Sequence, residues 1–268
     1  MEGRAITIPG PFSLRAELEV VRALVRRSAN EILRVPGAAI PGVLAPTIFF
    51  LGLTAVFGNL TQLSGFTTDT YQSFIIPVSL MQGAGFTGAA TGVNLARDIE
   101  QGWFDRLISA PAPRPVLLAG LVFSASLRAL VPATVLLTVG FAFGVDWPGL
   151  DGLAIALLMV LGMGTAAALW GVTLALRYKS QAAAPLMQAG MFVLIFITTA
   201  YAPLELLTGW LQDIARLNPV TQIVEAARQG FVTGDVTWAE TWPGLLAIAG
   251  LVALLGFFAL RGMRRFSD

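Results

Sequence analysis

The 268-residue sequence contains no cysteine and no histidine. Disulfides, zinc sites, haem ligation and imidazole acid–base chemistry are thereby excluded, and thiols give no reading of the redox compartment. Charge is scarce as well: Asp, Glu, Lys and Arg make up 12% of the chain, against 56% hydrophobic residues. That much apolar surface exceeds what a soluble domain of this size can bury, so the composition is that of a membrane protein. Lysine occurs once, as Lys179 in Arg-Tyr-Lys-Ser, which leaves no G-x-x-x-x-G-K-[ST] phosphate loop in the chain. The long apolar runs hold no Asp or Glu, which removes the midplane carboxylates that proton- or sodium-coupled carriers use. Intramembrane hydrolysis is left with Ser/Lys arrangements only, and Lys179 sits in a polar connector.

What the chain does have is six apolar runs near the ~20 residues that cross ~30 Å of hydrocarbon as a helix. They cover residues 38–57, 73–96, 126–145, 152–176, 184–202 and 243–260. The expected fold is an all-α membrane domain over 1–268, with a tail and interfacial helix at 1–36, a six-helix bundle at 37–260 and a second tail at 261–268. An even number of spans puts both termini on one side. Arg4, Arg15, Arg22, Arg26, Arg27 and Arg34 precede the first span, and Arg97, Arg106, Arg114, Arg177, Lys179, Arg261, Arg264 and Arg265 fall in segments on that same side. The opposite connectors 58–72 and 146–151 hold no Lys or Arg, and 203–242 holds only Arg216 and Arg228. Cationic connectors stay inside, so the termini are expected in the cytoplasm of a multi-pass bacterial (inner) membrane protein. The first 35 residues mix Glu2, Glu17, Glu19 and Glu31 with six arginines and show no apolar core with a small-residue cleavage site. No cleavable signal peptide is expected, and the first span would serve as its own insertion signal.

Before the first span, Leu14, Leu18, Val21, Val25, Ile32 and Val35 recur at helical spacing, with Arg15, Glu19, Arg22 and Arg26 opposite. The pattern fits an amphipathic helix on the anionic inner leaflet, ended by Pro36, or else a solvated tail helix. Between the last two spans, Leu204, Leu207, Leu211, Ile214 and Leu217 form one stripe, Asn218-Pro219 breaks it, and Val220, Ile223, Val224, Ala227 and Phe231 begin another. Two short amphipathic helices are expected there, dipping into the outer interface or capping the bundle.

The connector 97–117 reads RDIEQGWFDRLISAPAPRPVL, with six charged side chains and three prolines. Ile99, Trp103, Phe104, Leu107 and Ile108 share one side of a short helix and Asp98, Glu100, Asp105 and Arg106 the rest, while Pro111, Pro113 and Pro115 stop it. Such an element can be a small protein–protein anchor built on the Trp-Phe pair, or a plain turn with its aromatics at the lipid interface.

The run from Arg97 through Gly102, Arg106, Pro111 and Arg114 resembles the signature of ABC type-2 exporter permeases. Leu217-Asn218-Pro219-Val220-Thr221, followed by Ala226-Ala227-Arg228, is similar to the Asn-Pro segment these permeases carry between spans five and six. The likeness runs along the whole chain, nearest to the daunorubicin-type drug-resistance permeases. It implies a half-transporter that is not itself an enzyme: two such subunits, or one and a paralogue, pair, and two cytoplasmic ABC ATPase subunits bring ATP and Mg. It also implies that Asp98, Glu100, Gly102, Trp103 and Arg106 belong to a coupling helix that receives the ATPase stroke.

Within the spans, Gly83, Gly85, Gly88 and Gly92, and Gly162, Gly164 and Ala166 to Ala168, allow close helix approach. Arg128 reads as an inner-boundary arginine that snorkels, or as a lateral-gate or lipid-headgroup contact. For a translocation path the candidates are Met81, Gln82 and Phe86 of span two and Gln188, Phe192 and Thr199 of span five, which combine adaptable apolar surface with isolated polar groups, against ordinary packing or lipid contact as the alternative. The leading expectation is export of amphiphilic drugs, antibiotics or lipids; the rivals are polysaccharide or glycolipid export and a non-transporting membrane scaffold. No catalytic residue, metal site, cofactor within this chain or nucleic-acid partner is expected; membrane lipids and an amphiphilic substrate are.

Overall fold

The computed structural model describes residues 14–34, 40–62, 68, 70–109 and 112–266, and every regular element among them is helical. In chain order these are α1 (Leu14–Arg34), α2 (Ile40–Phe57), α3 (Tyr71–Glu100), α4 (Trp103–Ile108), α5 (Arg114–Arg128), α6 (Leu130–Ala142), α7 (Gly149–Tyr178), α8 (Ala184–Phe196), α9 (Trp210–Leu217), α10 (Pro219–Val232) and α11 (Trp238–Arg265). Three stretches are long and apolar enough to cross a membrane: Arg114–Ala142, which joins α5 and α6, Gly149–Tyr178 and Trp238–Arg265. Gly42–Phe57 and Gln181–Phe196 are shorter apolar helices. Val35 and Pro36, read as the end of the first amphipathic helix, and Pro111 of the connector lie outside the described residues.

At the centre stands α3, with twenty of its thirty residues buried, so it must be packed on several sides at once. Its tightest neighbour is α7. A methyl group on Gly88 would sit 2.5 Å from the carbonyl oxygen of Gly164, and one on Gly92 would fall on the backbone of Gly171. Two helices crossing at this separation need hydrogen in place of a side chain on both. Of the other small residues singled out in the sequence, Gly83 faces Pro132 and Leu136 of α6, Gly85 faces Ile195 of α8, a methyl on Gly164 would meet Ala129, and Gly162 faces Ile248 of α11.

Pro132 explains why the third apolar stretch is two helices. It has no N–H to offer the carbonyl four residues earlier, and the helix breaks at Ala129 between α5 and α6. The segment before the break packs against the rest of the protein. Leu117, Leu118 and Val122 are buried in a cluster with Leu95, Phe104, Leu169, Val172 and Met263. The snorkelling expectation for Arg128 is corrected accordingly: its Nη2 donates to Thr91 Oγ1 of α3 at 2.7 Å, directed into the bundle rather than along lipid.

The first helix docks by a flank that the apolar stripe does not reveal. Leu24 is buried, close enough to α5 that a methyl on Gly120 would come 2.5 Å from it, whereas Leu18 of the stripe is 68% exposed. Val21 and Val25 of the stripe are half-buried, so α1 is held to the protein by Leu24 beside the stripe while Leu18 stays open. Of the two short helices expected to dip into the outer interface or cap the bundle, α10 is the more deeply packed. Val220, Ile223, Val224, Ala226, Ala227, Arg228 and Phe231 are buried, and α10 is inserted among α3, α7 and α11; only α9 keeps an exposed amphipathic surface.

The crossing of α3 and α7 yields a test. Gly92→Ala, which forces backbone apart, should destabilise by about 1–3 kcal/mol. Gly52→Ala, with nothing within 4 Å of the added methyl, should not. Melting temperatures of the two variants in the same detergent check the contrast.

Candidate functional site

The connector is built by two helices. α3 runs past its apolar portion to Glu100, then Gly102 takes φ 68°, a left-handed conformation in which a glycine meets no Cβ penalty, and α4 starts at Trp103. Asp98 and Glu100 therefore sit on the end of α3, Gly102 is the corner, and Trp103 and Arg106 ride on α4.

Side-chain contacts fasten this corner from several directions. Arg27 of α1 donates to both oxygens of Asp98, at 2.9 and 3.1 Å, and its guanidinium lies 3.7 Å from the Trp103 ring centre. Glu100 accepts from the Ser180 hydroxyl at 2.8 Å, the Gln181 backbone N–H at 2.9 Å and the Gln181 side chain at 2.6 Å. Arg97 Nε donates to Gln181 Oε1 at 3.2 Å. Phe104, with no exposed surface, meets Phe266 edge-on at 5.1 Å, just past the end of α11. Arg114 Nη1 donates to the Arg264 carbonyl at 3.2 Å. The Trp-Phe pair is thus engaged within the chain, with Trp103 half-buried under Arg27, rather than presented as an external anchor. Gln101, Asp105 and Arg106 are exposed at the corner, as are the clasped Arg97 and Glu100 and the terminal Ser109.

The bonds from the Gln181 side chain, the Gln181 backbone and the Ser180 hydroxyl favour ionised Glu100 and hold its carboxyl below the usual carboxylate range. A lowered folded-state value means the contribution of this clasp is complete above the ordinary carboxylate pKa and is lost as pH falls through the folded one.

The opposite end carries a second polar centre. Arg228 of α10 donates to the Phe74 carbonyl at 3.1 Å, the Thr199 carbonyl at 2.8 Å and Glu225 at 2.6 Å, and it lies 3.9 Å from the Phe74 ring centre. Thr199 also donates to Glu225. Asn218 caps α10 by accepting from the Val220 N–H at 2.9 Å while donating to the carbonyls of Leu194 and Ile197, at 2.7 and 3.1 Å, at the end of α8. A cavity of about 470 Å³ opens here, lined by Glu205, Glu225, Arg228, Gln229 and Glu240 among others.

Of the residues read as a translocation path, the structure brings Phe86 and Phe192 together, stacked at 6.0 Å. Gln82 lies one turn from Phe86 and donates to the Tyr201 hydroxyl at 2.9 Å. Phe49, Phe196 and Tyr201 complete an aromatic cluster that the sequence reading missed, with Phe192 4.2 Å from Phe196 and Phe196 4.8 Å from Tyr201. Gln188 is half-buried one turn before Phe192, Met81 is buried in the main core, and Thr199 belongs to the Arg228 centre instead. The Glu225-x-x-Arg228 spacing was the available signal for that centre.

A sequence profile of the ABC-2 type transporter family matches residues 19–232, most of the chain and both polar centres. The chain belongs to the ABC-2 type transporter family. It is 28% identical over 222 residues to a daunorubicin resistance ABC transporter permease protein, DrrB1, of Streptomyces coeruleorubidus, covering 82% of this chain and 77% of that one. It is also 28% identical over 254 residues to a probable doxorubicin resistance ABC transporter permease protein, DrrC, of Mycobacterium tuberculosis, covering 91% and 86%. A putative transport permease, ycf38, of Pyropia yezoensis is 26% identical over 230 residues, covering 84% and 77%. Together with the apolar helices, these relatives make the chain a multi-pass membrane permease of an ABC transporter system.

Two features of this ABC-2 chain can be tested directly. Asn and Asp are equivalent as simple helix caps, but here Asn218→Asp sets a carboxylate against two carbonyl oxygens. It should destabilise more than Asn218→Ala, itself expected to lose about 1–3 kcal/mol, in thermal unfolding of the purified proteins. At the other end, the Gln181 amide should lose hydrogen-exchange protection as the pH falls below the ordinary carboxylate range, while Glu100→Ala shows that low protection at every pH.

Proposed function

We infer that this chain is the membrane-spanning subunit of an ATP-driven exporter that moves amphiphilic drugs, antibiotics or lipids out of the bacterial cytoplasm or inner leaflet. In this reading α2, α3, α5 with α6, α7, α8 and α11 are the six spans, and the arginine-rich end with both termini faces the cytoplasm. A second permease copy or paralogue pairs with it, and two ABC ATPase subunits carry ATP and Mg.

The observation that carries the proposal is the fastening of the connector. A push on α4 cannot be absorbed locally, because Asp98 is held to α1, Glu100 to the turn between α7 and α8, and Phe104 to the end of α11. The ATPase would grip the exposed side, with Asp105 and Arg106 as contacts, and Asp98, Glu100, Gly102 and Trp103 would pass the displacement inward. A ligand drives such a transition only through its different affinities for the two states, so ATP-bound and ATP-free partners must press on α4 differently. The cluster of Phe49, Phe86, Phe192 and Phe196, with Gln82 and Tyr201 at its edge, offers an amphiphile apolar ring faces beside a few polar groups, which favours that substrate class over a glycan.

Co-reconstitution with the partner ATPase in vesicles tests the assignment. Arg106→Ala should abolish substrate-stimulated ATP turnover and transport while leaving the melting temperature unchanged, because Arg106 makes no buried contact. Phe192→Ala should instead lower transport of an amphiphile and spare basal ATP turnover. Full transport by Arg106→Ala, or pumping without any ATPase partner, sinks the reading.

A further inference from the structure

A groove of about 510 Å³ lies where the last turns of α7 and α11 meet, at the connector end of the bundle. Four cations line it, Arg177 from the end of α7, Lys179 just past it and Arg261 and Arg265 from α11, and among the described residues no acidic side chain does. The two salt bridges among the described residues, Arg27–Asp98 and Arg228–Glu225, lie elsewhere. Four like charges drawn into one groove repel one another, so the arrangement gains most from an anion between them. The positions are built rather than incidental. Lys179 adopts φ 54°, a left-handed conformation unfavourable for a residue with a Cβ, and its ammonium lies 4.3 Å from the Phe266 ring centre.

The rest of the groove is mostly apolar, formed by Leu176, Phe258 and Phe266 with Thr173 and Gly262, and a free inorganic anion does not need that apolar surface. It continues onto the outward side of α11, where Leu254, Phe257 and Phe258 are exposed on a helix whose most apolar window is only 11% buried. Charge at the mouth and an unbroken apolar track beside it match one kind of molecule.

We propose that the groove between the ends of α7 and α11 binds an anionic phospholipid, its headgroup phosphate held by Arg177, Lys179, Arg261 and Arg265 and an acyl chain lying along α11. The site is separate from the aromatic cluster and from the exposed side of α4, and it stands whether or not the chain exports anything. Lipid here would bridge α7 and α11, and so brace Phe266, on which Phe104 of the connector rests.

The test is retention of lipid by the full chain, purified in detergent with equal phosphatidylglycerol and phosphatidylcholine and measured by native mass spectrometry. The wild type should keep phosphatidylglycerol in preference by on the order of tenfold or more, since each basic side chain beside an anionic headgroup is worth about fivefold. Arg261→Gln with Arg265→Gln should erase the preference, and Arg261→Lys with Arg265→Lys should keep most of it. Arg22→Gln with Arg26→Gln on α1, another basic surface, should leave this bound lipid in place. Should the doubly neutralised protein fail to fold, Lys179→Gln alone serves, with a smaller loss of preference. Unchanged preference in the neutralised variants overturns the proposal. So does release of the lipid by millimolar inorganic phosphate, which would mark a free-anion site, or its displacement by the partner ATPase, which would mark a protein interface.

Discussion

Everything in this molecule is registered to the contact between the backbones of α3 and α7. In hydrocarbon there is no solvent-driven gain in bringing two apolar helices together, so close van der Waals packing must hold them, and Gly88 and Gly92 against Gly164 and Gly171 permit it. The contact fixes the axis of a helix that is about 45 Å long at 1.5 Å per residue, longer than the apolar layer. Its surplus length emerges at one end carrying Asp98 and Glu100. The position of the connector is therefore a consequence of helix packing in the bundle, not of the loop that follows.

The two ends of the bundle treat polar groups differently. At the connector end the polar contacts are exposed or half-exposed and join surface elements, so each is individually weak and their combination gives the corner its definition. At the other end Arg228 is buried and its guanidinium is satisfied by two carbonyls, a carboxylate and the face of Phe74. A cation out of water is tolerated only when its donors find acceptors. That requirement explains why α10 is inserted in the bundle: only there do the carbonyls of α3 and of the segment after α8 converge on it.

Much of this was legible in sequence, and the failures have physical causes. The short helix at Trp103 and the break at Asn218-Pro219 follow from local period and from proline and glycine chemistry; of the six apolar runs, three fall in stretches long and apolar enough to cross a membrane, and the third begins at Arg114 rather than 126. The end of α3 was not legible, because Arg97, Asp98 and Glu100 are as compatible with a helix terminus as with a new helix, and only the conformation of Gly102 separates them. Arg128 could not be assigned a direction from its place in an apolar stretch; the break caused by Pro132 and the presence of Thr91 turn it inward. The polar residues of α10 look like a wet face until the carbonyls that receive them are known. Similarly, the aromatic cluster draws Phe49, Phe86, Phe192 and Tyr201 from four separate segments, and no local pattern joins those. Phe86 and Phe192, chosen by residue type, do lie together, whereas Thr199 sits with Glu225 and Arg228.

The seating of Phe104 on Phe266 makes the end of α11 part of the machinery that meets the ATPase in the proposed exporter. Insertions, fluorescent fusions or deletions beside Phe266 would act as mechanical perturbations of the α4 corner, some hundred and sixty positions earlier in the chain, even though they touch no span.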